Sequence, residues 1–218
     1  AVSVLRKVLN TKRVGFSGTL DPLASGLLIV ANGKATRLLD WFHDLPKIYQ
    51  ADVLFGQDSD TYDMEGKTVV NKQAKAFDKK ELEETLNNFL GKQNQVAPIY
   101  SAKKVAGQKL YKLARAGKPV KAPSKEIEIH ELKINKFKYP NLNLLVSASA
   151  GTYIRSLAHD LGQTMETGAV LSDLKRIAIG DFMVKNALAL EEVDKASLAK
   201  NKLAVQEVID IINEHLAQ

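Results

Sequence analysis

Between Glu126 and Ala148 the chain reads EIEIHELKINKFKYPNLNLLVSA, and the fold class turns on how this stretch is parsed. Its apolar residues alternate as they do along a strand: Ile127 and Ile129, then Leu132 and Ile134, then Phe137 and Tyr139. The parity slips twice, at His130–Glu131 and at Asn135–Lys136. A flat strand would turn its core face to water at each slip, so bulges or bends are predicted at both. The YPN turn then brings Leu142–Ala148 back as a pairing strand.

Working outward, Tyr153–Glu166 has helical spacing, with Ile154, Leu157, Ala158 and Leu161 on its buried stripe. A strand is predicted near Lys175–Ile179, and two short amphipathic helices from Leu190. Upstream, Val4–Asn10 reads as the end of a short helix, Leu27–Val30 as a buried strand and Gly33–Phe42 as a helix. Tyr49, Ala51, Val53 and Phe55 share one face of a further strand, and the polar QDSDTYDMEG leads to a short return strand at Thr68–Val70. Asp78 is the expected N-cap of a helix ending before Gly91, with Glu81 completing a capping box. Strands in runs as well as between helices predict an α+β fold around a mixed, largely antiparallel sheet.

The 218 residues are expected to form one domain, with residues 190–218 as a helical tail. There is no cysteine, which excludes disulfides and thiolate zinc sites. The apolar run Leu27–Ala31 is far too short to span a membrane, and no leader is visible. Because the chain opens on Ala1 rather than Met, it is read as a piece of a longer product. The formal charge of +6 is spread unevenly. From Lys103 to Lys125 there are eight basic residues and no acid, with Tyr100 and Tyr111 among them, whereas the tail from Asp181 has seven acids against four bases. A concentrated basic stripe is the footprint of a polyphosphate partner, and the competing reading is a solvated loop and helix.

Two further stretches carry candidate chemistry. In GFSGTLDPLASG, Gly15–Gly26, Pro22 restricts the backbone of Asp21 and glycines bracket the loop. Either this is an ordinary Asp-Pro turn or a carboxylate held for reaction. In SAGTYIRSLAHDLG, Thr152 is the expected N-cap and Arg155 falls at N3, where a cation opposes the helix dipole. A nearby carboxylate or phosphate would account for it, and Asp21 is one candidate; the other reading is an exposed arginine. Tyr49 is either core or a surface on which a base stacks. The four histidines show no ligand spacing, and DSDTYDMEG lacks the glycine and final glutamate of a calcium loop. No P-loop, GxGxxG or nucleophile elbow is present, so any enzyme here is expected to work by carboxylate chemistry with no metal and no cofactor.

With GTLDPLASG and GTYIR in hand, the chain resembles the TruB family of tRNA pseudouridine synthases. The resemblance extends over RVGFSGTLDPLASGLLIVANGKATRLL, KIYQADVLFGQDSDTYDMEG, PIYSAKKVAGQKLYKLARAGK, GTYIRSLAHDLG and LSDLKRIAIGDF, in that order. It implies the pseudouridine-synthase α+β fold, with residues 97–125 as a basic insertion gripping the T-arm of tRNA. It makes Asp21 the catalytic aspartate, Tyr49 the active-site tyrosine and Arg155 the arginine that pairs with the aspartate. Tyr153 and Leu174 would line the uracil pocket, and Phe16, Tyr100, Lys104, Lys109, Lys112 and Arg115 would contact the RNA. It further implies a cytoplasmic monomer that needs neither a protein partner nor a membrane. Three departures stand out. The chain is expected to start after the family's opening strand and DKPxGxTS-like segment, Phe16 stands where many members have His, and a C-terminal PUA domain is expected to be absent. Two other classes stay open: a tRNA-folding factor acting on the T-arm without catalysis, and a guide-RNA-dependent relative of the dyskerin type. A carboxylate glycosidase would want a second acid beside Asp21, and none is obvious.

Overall fold

The computed structural model describes residues 1–101, 103–105, 107–116, 119, 120 and 122–216. In chain order these form α1 (Val2–Val8), β1 (Val14–Ser17), β2 (Ala24–Gly26), β3 (Ile29–Asn32), a 3-10 segment (Gly33–Leu38) and α2 (Leu39–Asp44). Next come β4 (Lys47–Phe55), β5 (Gln57–Ser59), β6 (Thr68–Val70), α3 (Lys79–Asn87), β7 (Gly91–Val96), β8 (Lys104–Val105), β9 (Gln108–Lys109) and α4 (Leu110–Arg115). The remainder is β10 (Ser124–Lys138), β11 (Asn141–Ala148), α5 (Ile154–Thr164), β12 (Ala169–Ile179), β13 (Phe182–Met183), α6 (Lys195–Asn201) and α7 (Val205–Leu216). The chain separates into two units: Ala1–Asp21, Gly26–Leu45 and Ile177 onward in the first, Pro22–Ser25 and Pro46–Arg176 in the second.

In the second unit the sheet order is β12-β4-β11-β10-β7, with β2 pairing on β12. The pairs β4–β11, β11–β10 and β10–β7 are antiparallel. The β10–β11 register shifts between Ile129 and Glu131 and between Ile134 and Lys136, the two places where the apolar parity slips. Each bulge lets the strand keep its apolar side on the core although the sequence pattern has changed phase. On β4, Ala51, Val53 and Phe55 are buried and Tyr49 is half-buried against the same core. That core takes Leu82 and Leu86 from α3 and Ile154, Leu157, Ala158 and Leu161 from α5. Asp78 caps α3, its Oδ1 accepting from Glu81 N at 2.9 Å.

The first unit has its own apolar cluster of Leu27, Phe42, Leu45, Ile179 and Val208. Here the structure corrects the reading of Leu27–Val30 as one buried strand. Leu27 alone of the run is buried, the strand starts at Ile29, and β3 is half of a two-stranded ribbon with β1. A ribbon without a third strand leaves one face open, so Ile29–Ala31 are only half-buried. Gly33–Phe42 is helical as expected, but its first six residues are wound as a 3-10 helix. Gly15 on β1 is required by packing, since a Cβ there would lie 2.7 Å from Leu39 Cδ1. No helix among the described residues is long and apolar enough to cross a membrane.

Candidate active site

The N-terminus of α5 organises the second unit's polar centre. The expected N-cap, Thr152, is displaced by one residue: α5 begins at Ile154, Tyr153 is the N-cap and Arg155 falls at N2 rather than N3. Thr152 instead closes the preceding turn, its hydroxyl donating to Ser149 O at 2.9 Å. Tyr153 has no side chain that can cap, so its backbone is held from outside. Gln95 of β7, itself buried, accepts from Tyr153 N at 2.8 Å and donates to Tyr153 O at 3.0 Å. Ser156 Oγ adds a bond to Val96 O at 2.9 Å, so the first turn of α5 is stitched to the edge strand.

Arg155 is 4% exposed, which removes the reading of it as a solvated surface arginine. Its guanidinium donates to Thr61 O at 2.9 Å and to Tyr100 O at 3.3 Å, and lies 3.4 Å from Asp63 Oδ2. Asp63 is 3% exposed and also accepts from Thr61 Oγ1 and from Glu65 N at 3.1 Å. A buried charge is tolerated when paired and hydrogen-bonded, and both halves of this pair satisfy that condition. The segment 58–66 thus acts as a cradle for a cation, with its acids turned to separate tasks. Asp58 Oδ1 accepts from Gln163 at 3.1 Å, Asp60 Oδ1 from Lys67 N at 2.9 Å, and Asp63 holds Arg155. Gly66 allows the tight wrap, because a Cβ there would meet Asp60 Oδ1 and Thr61 Oγ1 at 2.3 Å. Backbone bonds from Met64 N to Leu171 O at 3.1 Å and from Leu171 N to Tyr62 O at 3.0 Å tie the cradle to β12.

The other expected site residues distribute as follows. Tyr49 on β4 lies opposite Val146, and Leu174 on β12 is buried in the same core. Tyr153 and Arg155 share the start of α5, and Arg155 meets the backbone of Tyr100. Asp21 and Phe16 belong to the first unit, whose first segment ends at the Asp21–Pro22 bond. Asp21 sits half-buried in the loop between β1 and β2, and Phe16, opposite Val30, is 43% exposed. Just beyond Asp21, Leu23 and Ala24 pack on the second unit's core.

In the basic stretch, α4 is anchored by buried Leu110, whose N bonds Lys103 O at 2.8 Å. Lys109, Lys112 and Arg115 are exposed. Lys109 and Arg115 each lie 5.7 Å from the Tyr111 ring centroid, so one aromatic ring gathers two cations. Lys118, Lys121 and the side chain of Lys104 lie outside the described residues.

Three contributors escaped the sequence reading: Gln95, Asp63 and the Tyr62–His159 pair. The rings of Tyr62 and His159 stack at 3.9 Å with a 13° interplanar angle. Burial first, then the charges of Asp160 and Asp58, push the Tyr62 hydroxyl above its ordinary pKa. Asp160 is likewise pushed up by burial, with His159 pulling the other way.

The TruB family pseudouridylate synthase (N terminal domain) matches residues 6–154, and the tRNA pseudouridylate synthase B C-terminal domain matches 155–216. The protein named tRNA pseudouridine synthase B from Clostridium perfringens is 38% identical over 210 residues, covering 96% of this chain and 71% of its own. That of Thermosipho melanesiensis is also 38% identical, with 96% and 69% covered. Among solved structures, an H/ACA RNP bound to a substrate RNA containing 2′-deoxyuridine superposes with a TM-score of 0.66 at 22% identity, covering 94% of this chain and 52% of that one. The archaeal box H/ACA sRNP Nop10–Cbf5 complex gives 0.61 at 22%, covering 87% and 46%. This chain spans about half the length of those two, and at such identity the likeness is one of fold.

Proposed function

The chain belongs to the TruB family of pseudouridine synthases, isomerases that convert uridine to pseudouridine, and from that membership we propose that it modifies position 55 in the T-arm loop of tRNA. A uridine in a folded loop must leave the stack before a side chain can reach its glycosidic bond. The C1′–N1 bond then breaks, the base turns, and C5 bonds to the same ribose carbon with loss of the C5 proton. Every atom except exchanged protons is kept, so the reaction balances without a redox partner or an energy source.

In this reading Asp21 is the reacting carboxylate, acting as nucleophile or base. Tyr49 stacks on the flipped base and assists the departure of the C5 proton, and Tyr153 and Leu174 wall the uracil. Arg155 orients the Asp21 carboxylate, to which a guanidinium presents planar, charge-assisted donors. A guanidinium carries five N–H donors in a fixed fork, enough to serve Asp63, two carbonyls and a second carboxylate together. Phe16, exposed on β1, offers an aromatic face to the RNA, and Lys104, Lys109, Lys112 and Arg115 neutralise phosphates along the T-arm. In this reading the protein works in the cytoplasm, as a monomer on bare tRNA.

The observation that supports this best is the burial of Arg155 beside Asp63. Arg155, a helix-start cation that local physics disfavours, is enclosed and paired by the fold. The test is incubation with an unmodified tRNA transcript carrying tritium at uridine C5, followed by mapping of the modified base. Tritium release with pseudouridine at position 55 is expected in the absence of any guide RNA or protein partner. Absence of release, or modification elsewhere only, would overturn the assignment. Restoration of release by a guide RNA alone would point to the dyskerin-like reading.

A further inference from the structure

We infer that Tyr62 and His159 form a positioning pair that sets the orientation of Arg155; this rests on the reading of Arg155 as an active-site residue. Helix α5 grips the cradle loop at two points one helical turn apart. At the first, Arg155 bonds Thr61 O and pairs with Asp63. At the second, His159 stacks on the ring of Tyr62, the residue between those two partners, at 3.9 Å. With the first grip alone, the loop could pivot about the guanidinium; the stack removes that freedom and fixes the direction from which Thr61 and Asp63 meet Arg155.

Three further observations support a pair built for this purpose. Tyr62 adopts φ +65°, a left-handed conformation that glycine would take without strain, so the ring must return something for its place there. Asp58 backs His159, its Oδ1 3.7 Å from Nδ1, and is itself braced by Gln163 Nε2 at 3.1 Å. Gly168 leaves room for it, since a Cβ there would come within 2.7 Å of Asp58 Oδ2. Lastly, His159 Nδ1 is buried with no hydrogen-bond partner among the described residues. The imidazole is therefore held by its stack and by packing against Asp58 rather than by a hydrogen bond at that nitrogen. The charged and titratable groups around it are Asp58 on β5, Tyr62 in the loop, and Asp160 with Arg155 on α5 itself.

The experiment compares Tyr62→Phe, Tyr62→Gly, His159→Ala and the double variant Tyr62→Gly/His159→Ala in the full chain. Single-turnover pseudouridine formation and tRNA binding are measured separately. Tyr62→Phe keeps the stack and should react within about twofold of the wild type, whereas Tyr62→Gly relieves the backbone yet should lose about tenfold in rate at unchanged affinity. His159→Ala should match that loss, and the double variant should lose no more than either single change, because the two rings act as one unit. Wild-type rates in Tyr62→Gly and His159→Ala, multiplicative losses, or an equal loss of affinity would each overturn the inference. Amide hydrogen exchange across residues 61–65 gives a readout free of activity, and it also serves if one variant folds poorly. Exchange should quicken in Tyr62→Gly and His159→Ala and stay slow in Tyr62→Phe. Unchanged exchange in all three would overturn the pair. A wild-type chain that makes no pseudouridine but exchanges as expected would instead sink the functional reading and leave the clamp standing.

Discussion

Replacing Gly162 by alanine sets helix propensity against packing, and the two predict opposite signs. Gly162 lies inside α5, where alanine is better than glycine by about 1 kcal/mol on propensity alone. The structure argues the reverse. A Cβ at Gly162 would lie 2.1 Å from Ala169 N, 2.4 Å from the Gly168 carbonyl carbon and 2.6 Å from Ala169 Cβ. Non-bonded carbons settle at about 3.5–4.0 Å, so the start of β12 would have to retreat by about 1 Å or more. That retreat would disturb the bonds from Thr167 N and Gly168 N to Gly162 O, at 3.1 and 3.0 Å. Overpacking costs about 1–3 kcal/mol and occasionally more, and main chain on the far side puts Gly162→Ala at the upper end. Net of propensity, the loss should be about 2 kcal/mol, or about 4–8 °C in Tm for a chain of this size. Thermal and urea unfolding followed by circular dichroism would measure it. An alanine variant as stable as the wild type, or more so, would refute the claim that α5 is seated against β12 through this glycine.

Gln95→Leu should cost about 1–2 kcal/mol, since it leaves the Tyr153 N–H unmatched while Tyr153 O keeps its bond from Leu157 N at 3.1 Å; urea unfolding that moved by less than half of this would show that the bracket is idle. Burial raises the pKa of Asp160, so the folded chain binds that proton more readily than the unfolded chain. Stability is then lost as pH rises from 3.8 through the folded value, and Asp160→Asn should stabilise the protein at pH 7 with a gain that disappears below pH 3.8. A gain independent of pH in matched unfolding curves would contradict this. Changing Lys109, Lys112 and Arg115 to alanine should weaken tRNA binding and flatten the slope of log K against log salt by about 0.7–0.9 per lost phosphate contact. An unaltered slope would reduce the stripe to a solvated face.

The parts of the fold legible in the sequence were those where burial imposes a period. The two slips of β10 could be located to the residue pair because alternation leaves no other way to keep Ile127 and Ile129, Leu132 and Ile134, and Phe137 on one core. The buried stripe of α5 was legible for the same reason, while its first residue was not, since Thr152 looks like a cap whether or not it caps. β7 was missed because KQNQV has no apolar alternation, and its buried Gln95 serves a backbone rather than the core. Leu27–Val30 misled in the opposite direction, as a continuous apolar run does not reveal whether a third strand will cover it.

In the candidate site, Arg155 announced itself as a cation in a helix's first turn, and burial with Asp63 supplies the anion that such a cation needs. Asp63 itself could not be recognised, because one acid among several in a polar loop reads as solvated until the loop is folded. The stack of Tyr62 on His159 joins residues nearly a hundred positions apart, and nothing local marks either as a partner.

The central claim is that Asp21 carries the chemistry. Its most direct test is Asp21→Asn assayed on an unmodified T-arm transcript, with pseudouridine mapped at position 55 and binding measured on the same preparation. The account predicts no product with affinity near that of the wild type. Product formed at the wild-type rate with asparagine in place would contradict it.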